Sequence, residues 1–227
     1  MTELVLASNN KKKIAELTTL LSGISGNLIT VRSLRDIGFT GDIDETGTTF
    51  EENSLIKANT PAALGYIGIA DDSGLAVDYL GGAPGIYSAR YASLNGENAS
   101  DEANRNKLVH ELCGVPEQER TARFVCTAAI VLPENSEYVI PEKWRISDEL
   151  ARKTGISASR AMVVRGECHG IILDHEIGDG GFGYDPLFYY EEFGKTFAEL
   201  DADEKNKVSH RGNAMREFTA RLSEIFG

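Results

Sequence analysis

Short apolar runs alternate with amphipathic stretches along the chain. Residues 3–8 (ELVLAS) form an apolar run that predicts a buried strand. Residues 11–21 (KKKIAELTTLL) predict a helix with Ile14, Leu17 and Leu21 on one face, and 28–34 (LITVRSL) predict a second strand. A β-α-β opening favours a parallel or mixed sheet with helical cover. Thr49-Phe50-Glu51-Glu52 has the S/T-x-x-E form of a capping box and predicts a helix to about Leu64, followed by a short buried strand at 67–70 (IGIA). Residues 79–96 are rich in Gly, Pro and Ser and read as loop, whereas 101–112 read as helix with Asp101 and Glu102 in its first turn. Strands resume at 122–132 and 161–173. A last helix runs from about His210 to Phe226, capped by Ser209, with Ala214, Phe218, Leu222 and Ile225 as its inner stripe. No repeat, low-complexity tract or compositional break interrupts this pattern, so residues 1–227 are expected to form one domain.

Composition narrows the function classes. With 227 residues, 41 % of them hydrophobic and 8 % aromatic, the chain suits one large domain or two closely joined lobes. Its 35 acids against 23 bases give a net charge of −12, so no basic face is expected to track a nucleic-acid backbone. A small polyphosphate remains possible where a few cations and a metal ion gather. Cys113, Cys126 and Cys168 are odd in number and lack C-x-x-C spacing, which predicts neither a disulfide framework nor a zinc knuckle and fits a reduced, cytoplasmic setting. The start MTELVLASNN lacks a signal-peptide core, and no window reaches the ~18 apolar residues of a membrane span, so a soluble protein is expected.

Several clusters carry candidate chemistry. Asn9-Asn10-Lys11-Lys12-Lys13 opens the first predicted helix with three cations where the helix dipole favours anions; this is either a phosphate site or a solvated basic turn. His210 and Arg211 show the same anomaly after Ser209, with Lys205 and Lys207 just upstream, and Arg suits bidentate contacts to carbonyl or phosphate oxygens. Asp71-Asp72-Ser73-Gly74 follows the IGIA strand, which places adjacent carboxylates at the carboxyl end of a strand, where open α/β sheets bind ligands. An Asp-Ser-Gly turn without chemistry is the alternative. Hard carboxylate oxygens suit Mg²⁺, and Asp44-Glu45 offers a second arm or an ordinary solvated loop.

Gly178 to Gly183 (GDGGFG) matches G-x-G-x-x-G, but Tyr184-Asp185-Pro186 follows where a dinucleotide fingerprint must open a helix. A glycine loop presenting Phe182, Tyr184 and Asp185 to a nucleobase fits better: the ring would stack and the carboxylate would accept from a purine N–H. The alternative is two core aromatics beside a turn. No Walker loop, H-E-x-x-H or G-x-S-x-G occurs. His110 and His169 receive no role, and Cys126 and Cys168 read as small buried hydrophobes.

Taken together, SNNKKK at 8–13, FEEN at 50–53, ADDSGLAVDYLGGAPGIYSARYA at 70–92, GGFGYDPLF at 180–188 and KNKVSHRG at 205–212 resemble the inosine triphosphate pyrophosphatase family, also called XTP/dITP diphosphatases. The resemblance implies an elongated α/β fold of two lobes, with a long central mixed sheet flanked by helices, a nucleotide cleft between the lobes, and a homodimer. It implies a phosphate loop at Ser8, Asn9, Asn10, Lys11, Lys12 and Lys13, with Lys13 also catalytic. It places Mg²⁺ on Glu45 and Asp72, with Asp72 also the general base. Ser73 would touch the nucleotide, Phe182, Gly183, Tyr184 and Asp185 would hold the base, and Lys205, His210 and Arg211 would complete the pocket.

The implied reaction is hydrolysis of ITP, dITP or XTP to the monophosphate and pyrophosphate, by water attack at the α-phosphorus. One departure from the family pattern is an added segment at about 139–160: PEKWRISDELARKTGIS (141–157) reads as an extra helix bearing the only tryptophan, Trp144. It could cover the cleft, enlarge a dimer interface or bind something else. The competing functions are a Maf-like pyrophosphatase acting on pyrimidine or modified nucleotides, and a catalytically silent nucleotide sensor. The purine-pocket motifs oppose the first, and the intact Glu45, Asp72 and Lys13 set opposes the second.

Overall fold

The computed structural model describes residues 2–8, 14–15, 18–19, 21 and 29–227. Strand β1 (Thr2–Leu6) pairs in parallel on one side with β2 (Ile29–Ser33) and on the other with β3 (Ile67–Val77). Parallel neighbours need crossover connections. The first carries helical Ile14, Ala15, Thr18, Thr19 and Leu21; the chain reaches β3 through helix α1 (Phe50–Ala63). The sheet order is β2-β1-β3-β4-β5-β6-β7, with β4 at Thr121–Val131, β5 at Ala161–Ile172, β6 at Phe188–Tyr190 and β7 at Lys195–Thr196. The β5–β6 and β6–β7 pairs are antiparallel, so the sheet is mixed, as expected. Val125 to Val131 of β4 are all buried, as a strand covered on both faces requires.

The chain divides into two units, Met1–Asp72 with Thr127–Arg165 and Ala214–Gly227, and Ser73–Cys126 with Gly166–Asn213. In the first, a core cluster of Leu4, Leu6, Leu21, Ile69, Ile130 and Met162 lies under the last helix, α5 (His210–Phe226), and a second is built on Leu55, Ala58 and Ala62. The stripe read from sequence is the buried one: Ala214, Phe218, Leu222 and Ile225 are each no more than 8 % exposed. The second unit is built on Leu75, Val77, Leu108, Phe124, Leu187, Phe188 and Phe197, with Phe124 stacked 5.6 Å from Phe197. Its helix α2 (Asp101–Glu111) starts at Ser100, whose side chain accepts from Ala103 N. Cys126 and Cys168 are buried, and burial pushes the Cys168 thiol up to about 12. Among the described residues no helix is long and apolar enough to cross a membrane.

Three local expectations change. Strand β3 does not stop at Ala70 but runs through Asp71-Asp72-Ser73-Gly74 to Val77, so the carboxylates sit within a strand and not at its end. The capping box at Thr49 is half formed: Thr49 accepts from Glu52 N, but the Glu52 carboxylate turns to Thr48 N and Oγ1 instead of the cap. A helix absent from the sequence reading, α4 (Ala202–Val208), carries a complete capping box between Asp201 and Glu204.

Residues 139–160 are part of the first unit. A 3₁₀ turn at Glu142–Trp144 leads to helix α3 (Asp148–Thr154), where Leu150 and Ala151 pack against a cluster holding Leu55, Ala58 and Ala62 of α1. Lys153 Nζ lies 3.3 Å from Glu52 Oε1.

Candidate active site

The expected site residues fall into two groups, one in each unit. In the first unit the loop before α1 carries Glu45, and two side chains of the first turn of α1 hold that loop. Asn53 Oδ1 accepts from Gly47 N at 2.9 Å, and Glu52 Oε2 accepts from Thr48 N at 2.7 Å. A Cβ on Gly47 would meet Asn53 Oδ1 at 2.6 Å, so this approach requires glycine. Thr127 of β4 donates to Phe50 O at 2.9 Å and ties the start of α1 to the sheet.

This framing brings Glu45 and Asp72 to one cation. Lys57, on α1, contacts Asp72 Oδ1 at 2.7 Å and Glu45 Oε1 at 3.3 Å, with 13 % of its side chain exposed. Burial pushes the Asp72 carboxyl above its usual value; Lys57 opposes this, while Glu45 and Asp71 add to it. The Lys57 ammonium is held above its ordinary value, because the pull of Asp72, Glu45 and Asp71 outweighs its burial. Asp72 Oδ2 is buried and finds no hydrogen-bond partner among the described residues. Lys57 was not singled out in the sequence. The only signal was a lysine in the otherwise uncharged stretch NSLIKANTPAAL of the helix after FEEN.

Among the described residues no group of three or more His, Cys, Asp or Glu is arranged to hold a metal. Two carboxylates suffice for Mg²⁺, which keeps waters and takes phosphate oxygens as its other ligands. The buried, unpartnered Asp72 Oδ2 and a carboxylate pair already gathered around one cation both fit such an ion. Of the expected phosphate loop, Ser8 is half-buried beyond β1 and its N–H donates to Leu6 O at 2.7 Å. Asn9, Asn10, Lys11, Lys12 and Lys13 lie outside the described residues. Ser73 is exposed on β3.

In the second unit the structure separates the residues expected to form the base wall. Phe182 is 75 % exposed, whereas Tyr184 is 4 % exposed and lies in the core, its hydroxyl donating to Ser88 O at 2.9 Å. Asp185 is 2 % exposed, and its Oδ2 accepts from Phe182 N at 2.8 Å and from Lys205 Nζ at 2.5 Å. A Cβ on Gly181 would come within 2.2 Å of that oxygen, which explains the glycine there. The Lys205 ammonium also sits 4.9 Å from the Phe182 ring centroid, so one carboxylate fixes a cation over an exposed aromatic face. His210 stacks on Phe124 with centroids 4.8 Å apart, and half-buried Arg211 follows it in the first turn of α5. Of the two aromatics expected in the wall, Phe182 is the exposed one, while Asp185 is committed to holding Phe182 and Lys205.

A family model described as the Ham1 family matches residues 4–221 of this sequence. The chain belongs to the Ham1 family. Within that family it is 46 % identical over 216 residues to a dITP/XTP pyrophosphatase of Geobacter sulfurreducens, covering 95 % of this chain and 94 % of that protein. It is 40 % identical over 227 residues to a dITP/XTP pyrophosphatase of Bacillus cereus, covering 100 % and 97 % respectively. Two solved structures share its fold. The Ham1 protein of Staphylococcus aureus matches with a TM-score of 0.80 and 38 % identity over 98 % of this chain and 99 % of that one. A HAM1 protein from Coxiella burnetii matches with 0.81 and 36 % over 99 % and 100 %. At this identity and coverage, the two Ham1 structures support the fold.

Proposed function

We propose that this chain hydrolyses non-standard purine nucleoside triphosphates (ITP, dITP and XTP) to the monophosphate and pyrophosphate, removing them from the nucleotide pool. The observation that carries the reading is the Glu45–Lys57–Asp72 cluster, in a chain 46 % identical to a dITP/XTP pyrophosphatase. Glu45 and Asp72 would hold Mg²⁺, which would offset phosphate charge and polarise the phosphoryl oxygens when bound. Lys57, like Lys13 in the Ser8 to Lys13 stretch, supplies positive charge for the triphosphate. Beside the metal, Asp72 would orient the attacking water or take its proton. Its Oδ1 accepts from Lys57, and its Oδ2 is buried with no hydrogen-bond partner among the described residues, which leaves Oδ2 for a metal.

On the base, Phe182 stacks, and Lys205 and Arg211 can only donate hydrogen bonds. A 6-oxo purine meets such donors with its carbonyl; adenine presents an amino group there and leaves them unmatched. Asp185 acts by holding Lys205 and Phe182 in place. Ser73, Gly183, Tyr184 and His210 belong to the same pocket as its frame. We further propose that the enzyme works in the cytoplasm as a homodimer.

A malachite-green assay over ITP, XTP, dITP, ATP and UTP with Mg²⁺ tests the reading. Phosphate should appear from the first three only after inorganic pyrophosphatase is added, and chelation should abolish it. Phosphate released without the auxiliary enzyme would overturn the assignment.

A further inference from the structure

Phe182 is exposed, so packing does little to hold its ring, and it stands between Gly181 and Gly183, whose φ angles of 75° and 61° lie in the left-handed region. A loop of this kind is soft unless something fixes the backbone. Helix α2 does so at the next residue. Gly183 N donates to Asp101 Oδ2 at 2.7 Å, and Gly183 O accepts from Arg105 Nη1 at 2.9 Å. Asp101 and Arg105 are four residues apart and so share one helix face. Arg105 is itself anchored by Glu176, whose Oε1 accepts from Arg105 Nε at 2.7 Å, and only 15 % of its side chain is exposed. The Asp101 carboxylate is not needed as a helix cap, because Ser100 already accepts from Ala103 N at 3.1 Å. With both of its polar backbone groups engaged by the protein, Gly183 contributes through its placement of Phe182.

We propose that Asp101 and Arg105 are positioning residues for nucleobase selection, clamping the two peptide groups that flank Gly183, one through its N–H and the other through its C=O, and so aiming the Phe182 ring. This rests on Phe182 being the stacking wall, and the experiment keeps the two ideas apart. The probes are ITP and ATP, with kcat and KM measured for Asp101→Ala, Asp101→Asn, Arg105→Leu and Phe182→Ala, together with hydrogen exchange over residues 180–186.

In Asp101→Ala and Arg105→Leu, KM for ITP should rise about tenfold with kcat within about twofold, and the ITP-to-ATP ratio of kcat/KM should narrow. Exchange at the Gly183 amide should quicken in Asp101→Ala. Asp101→Asn, whose amide oxygen can still accept from Gly183, should restore both readouts. Unchanged KM and exchange in the two clamp variants, with ITP preference lost in Phe182→Ala, would overturn the clamp alone. Unchanged preference in Phe182→Ala would remove the stacking wall, and the clamp with it. A fall in kcat and melting temperature at constant KM would show general structural support and would also overturn the proposal.

Discussion

Replacing Lys57 with methionine keeps an unbranched side chain and removes the ammonium that lies 2.7 Å from Asp72 and 3.3 Å from Glu45. Lys57 and Asp72 are 13 % and 12 % exposed, so the change leaves carboxylates facing each other with little water to screen them. Removing one partner of a buried ion pair costs about 3–5 kcal/mol. For a chain of this size each kcal/mol moves Tm by about 2–4 °C, so the chelated variant should melt roughly 10 °C lower. A divalent cation bound by the same carboxylates replaces the missing charge, so millimolar Mg²⁺ should recover most of that loss and stabilise the variant more than the wild type. The sign with pH follows from the raised ammonium of Lys57. Its contribution is fully present below the ordinary value of 10.5 and is lost as pH rises through the higher folded value, so the difference is largest near neutrality. Scanning calorimetry with EDTA and with Mg²⁺ reads both effects. An equal drop in Tm under the two conditions would refute the idea that lysine and metal share these carboxylates.

Asp72→Asn should lower turnover of ITP by at least ~10²-fold in steady-state assays, since it weakens the metal site and removes the base together; near-wild-type rates would exclude both roles. Arg211→Ala should reduce the ITP-to-ATP ratio of kcat/KM mainly through loss of ITP activity, and unchanged selectivity would place base discrimination elsewhere. The Glu52 carboxyl is held below its ordinary 4.5, its burial being outweighed by hydrogen bonds from Thr48 and Lys153. The stability it adds is present above that pH and lost as pH falls through the lower folded value, so Glu52→Gln should lower Tm at pH 7 and bring it close to wild type in strong acid. A constant gap across the acid titration would assign the effect to packing.

Much of the architecture was legible because burial leaves a periodic trace. The apolar runs of β4 and β5 and the 214–218–222–225 stripe of α5 could be read directly, and Thr49 and the Asp101-Glu102 turn marked helix starts. What stayed hidden depends on partners remote in sequence. Asp71-Asp72-Ser73-Gly74 looks like a turn, and only the strand around it, with Lys57 contacting Asp72 from α1, shows otherwise. Asp185 and Tyr184 could be read as a base-facing glycine loop or, for Tyr184, as core beside a turn; hydrogen bonds from Lys205 and Phe182, and from Tyr184 to Ser88, satisfy their polar atoms and allow burial. The box at Asp201 and Glu204 was present in the sequence but went unread, so α4 was missed. Local charge patterns located the two clusters. Which of their side chains face ligand and which hold a neighbour depends on tertiary contacts.

In the proposed reaction, water attacks the α-phosphorus and pyrophosphate leaves intact. Hydrolysis of ITP in ¹⁸O-water, followed by mass spectrometry of both products, tests it most directly. One ¹⁸O is expected in IMP and none in pyrophosphate; label in pyrophosphate, or IDP and orthophosphate as first products, would rule this reaction out.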